Sequence, residues 1–272
     1  MIIRNGLVFR GDGFEEKDLS FENGIITDIA PTGTSDGKSY DVQGAYVLPG
    51  FVDIHTHQCV HSNFCGVSPA EIERMLAYYG RQGVTSVVLT TLTNGEGMVG
   101  GKTCAALPYL GKKGYGAVLR EGSVFDKDEY EEVLGDGVLF HPAVVSAMFS
   151  VFGSRRICFV SDRTQMSEIP HKEYVLDGKA IIIKSGCSSH VEGDEIVGSA
   201  VNLMDCFRHA VNIGITLEDA VRAVSYNPAC AVAIASYVGS LIPGKIADIL
   251  VLDSDLMLLD VFIAGERQTT NS

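Results

Sequence analysis

Apolar and polar positions change their period twice along the chain. The first 49 residues read as short apolar stubs punctuated by turn dipeptides, IIRNGLVF around Asn5-Gly6 and LSFENGIITDIA around Asn23-Gly24. Asn-Gly between alternating apolar residues is a strong short-range turn signal, so both pairs predict turns between strands. The C-terminal stretch GSLIPGKIADILVLDSDLMLLDVFIAGER has the same texture, with apolar strands in ADILVLD and LLDVFIAG. Two β-rich ends around a different middle predict one small β domain built from both termini.

Residues 50 to 238 alternate between strand and helix patterns. Strand FVDIHTH precedes helix SPAEIERMLAYYGRQG, with Ser68 as N-cap and Glu71 at the capping-box position. Strand TSVVLTTLT follows, then helix DKDEYEEVLGD, strand GVLF, helix PAVVSAMFSVFG and strand RRICFVSD. Two further helices are predicted over GSAVNLMDCFRHAVNIG and, from an N-cap at Thr216, over TLEDAVRAVSYNPACAVAI. Strand–helix alternation places the fold in the α/β class with a parallel sheet. A complete (β/α)₈ barrel takes roughly 250 residues, and this region offers only four strands in 189. The Gly-rich stretch from Asn94 to Tyr115 has no clear period. It reads as a short bridge where further βα units would stand.

Composition narrows the function classes. A net charge of −13 argues against a nucleic-acid or anionic-membrane surface. No run of 18 uninterrupted apolar residues predicts a membrane span, and the N-terminus lacks a signal-peptide layout. The seven cysteines form no CxxC pair, which predicts free thiols and a cytoplasmic location.

Three strand ends carry chemistry. In PGFVDIHTH, His55 and His57 stand two apart, so both imidazoles share a strand face. At the C-terminal end of a barrel strand they suit a divalent metal such as Zn²⁺ or Fe²⁺. The buried strand RRICFVSD ends in Asp162, placed to take a proton from water and return it to a leaving amine. His141 precedes Pro142 at a helix start. It faces substrate or is a satisfied loop histidine, and the residues alone leave both readings open. His61 follows the pair closely enough to enter the site but reads first as a surface-loop residue. His171 and His190 lie in a polar, hairpin-like region, and His209, on an amphipathic helix, reads as solvated or interhelical rather than as a ligand.

Together PGFVDIHTH, the VSD strand end, DGVLFHPAVV, IVGSAVNLMDCFRHAVNIGITLEDAVRAVSYNPA and GSLIPGKIADILVLD resemble the N-acetylglucosamine-6-phosphate deacetylase family of the amidohydrolase superfamily. The resemblance implies a shortened (β/α) barrel over 50–238 and a small β-sandwich from 1–49 and 239–272, with a deletion junction near 94–115. It also implies metal-dependent removal of acetate from a phosphorylated N-acetyl amino sugar. Asp162 matches the family's general base, and His55 and His57 match its metal-ligating pair. His141 matches the second histidine of the family's His-x-His-Pro segment, on the same strand face and one step beyond the substrate-orienting position, and a homodimer is implied as well. Missing barrel strands leave unpaired edges, which independently predicts an oligomer.

The chain also departs from the family pattern. The His-Leu-Glu-Gly-Pro stretch that supplies a glutamate ligand does not occur, nor do the central strands with two later histidine ligands. Leu139 stands where the family has the first histidine of His-x-His-Pro, and Arg163 where it has Ala. Two other readings therefore stay open: a non-catalytic sugar-phosphate binder, and a hydrolase of a cyclic amide.

Overall fold

The computed structural model describes residues 1–34, 36–56, 58–59, 62–63, 69–89, 116–118, 130–137, 140–163, 173–176, 179–184, 187–190, 196–199 and 201–268. Asn23 and Gly24 both take positive φ, 51° and 79°. They fold β2 (Phe14–Glu22) back onto β3 (Ile25–Pro31) with Glu22 opposite Ile25, the expected two-residue hairpin. Asn5-Gly6 behaves differently. β1 (Ile2–Phe9) runs through it as one strand, and its register with β2 slips between Ile3 and Gly6. The predicted turn is thus corrected to a bulge, with Asn5 at φ 55°. Gly6 is needed there because a Cβ would lie 2.5 Å from Val47 Cγ2. β4 (Ser39–Asp41) and β5 (Tyr46–Pro49) both pair with β1 in parallel.

β6 (Phe51–Thr56) starts the parallel part of the fold, and β7 (Gln58–Cys59) pairs β8 (Ser62–Asn63) beyond it. Helix α1 (Pro69–Arg81) leads to β9 (Val84–Leu89), which lies parallel between β6 and β10 (Gly116–Val118). A second unit runs from β11 (Glu131–Leu134) through α2 (Pro142–Phe152) to β12 (Ile157–Val160), again in parallel. Over Glu131–Leu134, β11 corrects the helix predicted within DKDEYEEVLGD, whose first four residues lie outside the described ones. Consecutive glutamates mask a period of two in which Val133 is buried and Glu132 exposed, and the backbone ladder to β12 decides the conformation. Gly137 and Phe140 lie in bends, so GVLF is no strand at those two positions.

β13 (Glu173–Leu176), β14 (Lys179–Lys184), β15 (Cys187–His190) and β16 (Ile196–Ser199) form an antiparallel sheet. β16 takes the start of the helix predicted over GSAVNLM. Helix α3 (Leu203–Asn212) begins only after Asn202, whose side chain accepts from the Asp205 amide. Thr216 caps α4 (Leu217–Val224) as expected, but Ser225 at φ −132°, ψ −74° separates it from α5 (Tyr226–Ala231). Pro228 lacks an amide and would clash with the carbonyl four residues back in a continuous helix, which accounts for the break. Ser68, the Glu71 side chain, the 94–115 bridge, His57, His61, Leu139 and His171 lie outside the described residues.

The C-terminus returns to the first sheet as β17 (Ile249–Leu252), β18 (Leu258–Ile263) and β19 (Glu266–Gln268), in the order β19-β18-β17-β5-β1-β2-β3. Every residue of β17 is buried because the strand lies between two cores. Ile249 and Val251 join Leu19, Phe21 and Phe262, while Leu250 and Leu252 join Phe51, Phe207 and the helices. A strand covered on both faces reads as an unbroken apolar run. The fold is therefore α/β, with parallel strand–helix units packed on a sheet made from both termini. No described helix is long and apolar enough to cross a membrane.

Asp248 ties the two parts together. Its carbonyl accepts from the Gly50 amide at 2.9 Å, and its carboxylate accepts from the Ala264 amide at 2.8 Å. Burial pushes this carboxyl from its ordinary 3.8 up to about 7. Between those values the folded chain holds the proton and the unfolded chain releases it. The stabilisation is complete below the unfolded value and is lost as pH rises through about 7. We expect Asp248→Asn to flatten the fall in melting temperature between pH 5 and 8; a variant tracking the parent curve at every pH would contradict this.

Candidate active site

Alternation along β6 puts Asp53 and His55 on one face, with Asp53 wholly buried below. The Asp53 carboxylate accepts from the Ser161 hydroxyl at 2.5 Å and from the amides of Ser161 and His55 at 3.3 Å each. It therefore clamps the ends of β6 and β12 together from beneath. Burial pushes this carboxyl up to about 6, against those hydrogen bonds. Immediately above, the Asp162 amide donates to the His55 carbonyl at 3.0 Å, and Thr56 bridges Arg163 in parallel register. Strand ends far apart in sequence thus become neighbours.

The juxtaposition brings three side chains together. His55 Nδ1 lies 2.7 Å from Glu132 Oε2, and His55 Nε2 lies 3.8 Å from Asp162 Oδ1. The Glu132 hydrogen bond holds a proton on the imidazole and raises its pKa. Burial raises that of Asp162, with Glu132 and Asp136 adding to the effect and His55 opposing it. A carboxyl that readily keeps a proton beside an imidazole is suited to proton exchange with a reacting group.

Asp162 sits at φ 41°, a left-handed conformation that aspartate tolerates better than bulkier residues. Helix α1 braces it from the side. Tyr79 hydrogen-bonds the Thr56 hydroxyl, while Arg163 donates to Tyr78 and, at 2.8 Å, to Gln82. The buried Arg163 guanidinium also stacks 4.6 Å from the Tyr78 ring centroid. Where the family pattern has a small residue after the base, this chain has a cation wedged against α1.

The structure brings His55 and Asp162 together, while His57 lies outside the described residues. His141 is exposed at the start of α2, where its Nδ1 accepts from the Ala143 amide at 3.2 Å. His209 packs against Gly137, where an added Cβ would lie 2.5 Å from its Cε1. The sequence does not single out Glu132, Asp53 or Ser161, and marks Arg163 only as a departure from the family pattern. Asp53 carried a readable signal, since it stands two residues before His55 on the same face. Glu132 carried none, because its segment reads as helix.

The donor set fits a divalent cation in part. A carboxylate on one imidazole nitrogen is the usual device for presenting the other to a metal, and here Glu132 leaves Nε2 turned toward Asp162. Among the described residues no three candidate ligands cluster closely enough to hold an ion by themselves.

The sequence pattern of the Amidohydrolase family matches residues 111–269, more than half of the chain. The chain belongs to the amidohydrolase family. Among its relatives, N-acetylgalactosamine-6-phosphate deacetylase of Escherichia coli O157:H7 is 30% identical over 142 residues, covering 52% of this chain and 37% of the relative. N-acetylglucosamine-6-phosphate deacetylase of Haemophilus influenzae is 28% identical over 148 residues, covering 53% and 38%. The matched segment thus spans less than half of either relative. The crystal structure of N-acetyl-D-glucosamine-6-phosphate deacetylase from Mycobacterium smegmatis superposes with a TM-score of 0.78 at 20% identity, covering 99% of this chain and all of that one. At that identity the likeness establishes an amidohydrolase fold, in agreement with the architecture read from the strands.

Proposed function

We propose that this amidohydrolase removes acetate from the N-acetyl group of a phosphorylated amino sugar. The observation that carries the reading is the meeting of His55 and Asp162 across adjacent strand ends, with Glu132 orienting the imidazole. In the proposed reaction water adds to the acetyl carbon and the carbon–nitrogen bond breaks. Asp162 takes a proton from the water and returns it to the departing amine, leaving acetate and a free amino sugar. A divalent Zn or Fe ion, when bound, supplies Lewis-acid polarisation of the acetyl oxygen. His55 through Nε2 and Asp162 would hold it, joined by His57 as the second histidine of the pair. His141, exposed ahead of α2, is proposed to contact the sugar. The barrel part over 50–238 carries this chemistry, and 1–49 with 239–272 supports it from below. The same reading places the chain in the cytoplasm as a homodimer.

Acetate release from N-acetylglucosamine-6-phosphate and N-acetylgalactosamine-6-phosphate tests the proposal directly. We expect release with Zn²⁺ or Fe²⁺, loss on chelation and recovery on metal return. No acetate from either sugar with either metal sinks it, and phosphosugar binding without turnover identifies a non-catalytic binder instead.

A further inference from the structure

At the other end of β12 from Asp162, the chain encloses a cleft of about 500 Å³, within the usual range of small-molecule sites. It is lined by the β1–β2 turn, the α4–α5 junction, Arg155 and the 239–242 loop. Arg155 precedes β12 and Asp162 follows it, so the strand, on the order of 13 Å long, separates this cleft from the candidate active site.

Its chemistry is opposite to that of the whole chain. Three guanidinium groups, Arg10, Arg155 and Arg222, face one carboxylate, Asp12, in a protein of net charge −13. Backbone carbonyls aim two of them: Arg10 donates to Leu241 O at 3.1 Å, and Arg222 to Gly11 O at 2.7 Å. Arg155 is exposed, with no hydrogen bond or ion pair among the described residues. A guanidinium carries five donors, so among the described residues most of the donor capacity is unused. Arg222 also meets Asp12 at 2.6 Å, but the Asp12 side chain is 87% exposed. A surface ion pair of that kind contributes little and yields readily to a stronger anion.

The remaining walls are apolar and held in place. Phe9 and Leu241 are buried, while the Tyr226 ring is half exposed. Lys245 backs that ring at 5.8 Å from its centroid and bonds Ser240 Oγ at 2.6 Å, fixing two parts of the lining together. Three cations against one displaceable carboxylate match a dianion better than a carboxylate ligand, and guanidinium forks suit phosphate oxygens. A half-exposed aromatic ring alongside them suits a flat or ring-shaped body.

We propose that this cleft binds a small phosphate monoester bearing a ring, its phosphate held by Arg10, Arg155 and Arg222 and its ring set against Tyr226. The site is separate from the hydrolytic one, so its test stands apart from that of the proposed activity. The chain contains no tryptophan, so Tyr226→Trp places a single fluorescent reporter in the cleft. AMP serves as probe, with adenosine as the uncharged control and inorganic phosphate as competitor. We expect a saturable response to AMP that phosphate competes away and adenosine does not produce. Calorimetry on the unsubstituted chain should show the same AMP binding, weakened roughly tenfold by Arg155→Gln and unchanged by Asp162→Asn. Arg155 is exposed and has no partner among the described residues, so its loss leaves their packing intact. No AMP binding by either method overturns the proposal, as does binding that Arg155→Gln leaves unaltered or that Asp162→Asn removes.

Discussion

Asp162→Asn lowers acetate release by about 10²- to 10⁴-fold, the usual contribution of a positioned acid–base group, with little change in melting temperature. The substitution isolates chemistry from architecture. Asparagine matches the size of aspartate and accepts the left-handed backbone that Asp162 adopts at φ 41°. The amide that donates to the His55 carbonyl is main chain and survives, so β6 and β12 remain joined. What disappears is a carboxyl able to take up and return a proton beside His55. Acetate release within a few-fold of the parent rate would remove Asp162 from the mechanism and point to Glu132 as the proton carrier. A large fall in melting temperature would instead mark Asp162 as a structural pin.

Gly50→Ala destabilises the chain by roughly 3 kcal/mol, which lowers the melting temperature by roughly 6–12 °C in a protein of this size. A Cβ on Gly50 would lie 2.1 Å from Thr85 Oγ1 and 2.5 Å from its Cγ2. Thr85 cannot retreat easily, because it is buried in β9, which pairs with β6 from Phe51 onward. The Gly50 amide meanwhile donates to Asp248, so a shift at this point also disturbs the contact between the two parts of the fold. Adding Thr85→Ala to Gly50→Ala should recover part of the loss by thermal denaturation, since it removes the two closest atoms. Equal melting temperatures for Gly50→Ala and the parent would show that the close approach is not required.

Much of the architecture follows from local pattern. Asn23-Gly24 specifies its hairpin because both residues tolerate positive φ at adjacent positions. The apolar run ILVL is buried on both sides, as an unbroken run in a strand implies. Thr216 begins a helix because its hydroxyl satisfies an amide at the helix start. Local pattern misleads where pairing overrides it. Asn5-Gly6 is the same dipeptide as Asn23-Gly24, yet β2 and β5 flank β1 on either side and hold it extended, so the dipeptide becomes a bulge. Glu131-Glu132 looks helical, but a ladder to β12 makes it a strand.

The sequence by itself determined the α/β class, the small sheet shared by the two termini, and His55 and Asp162 as polar residues closing buried strands. Strand ends are legible because burial demands an apolar run and its abrupt stop is visible along the chain. Only the tertiary structure decided that those two ends are neighbours, that Asp53 clamps them from beneath, that Glu132 orients the imidazole and that Arg163 braces against α1. Each of those facts depends on which strands pair, and pairing is set by backbone hydrogen bonds and shared burial that no single segment records.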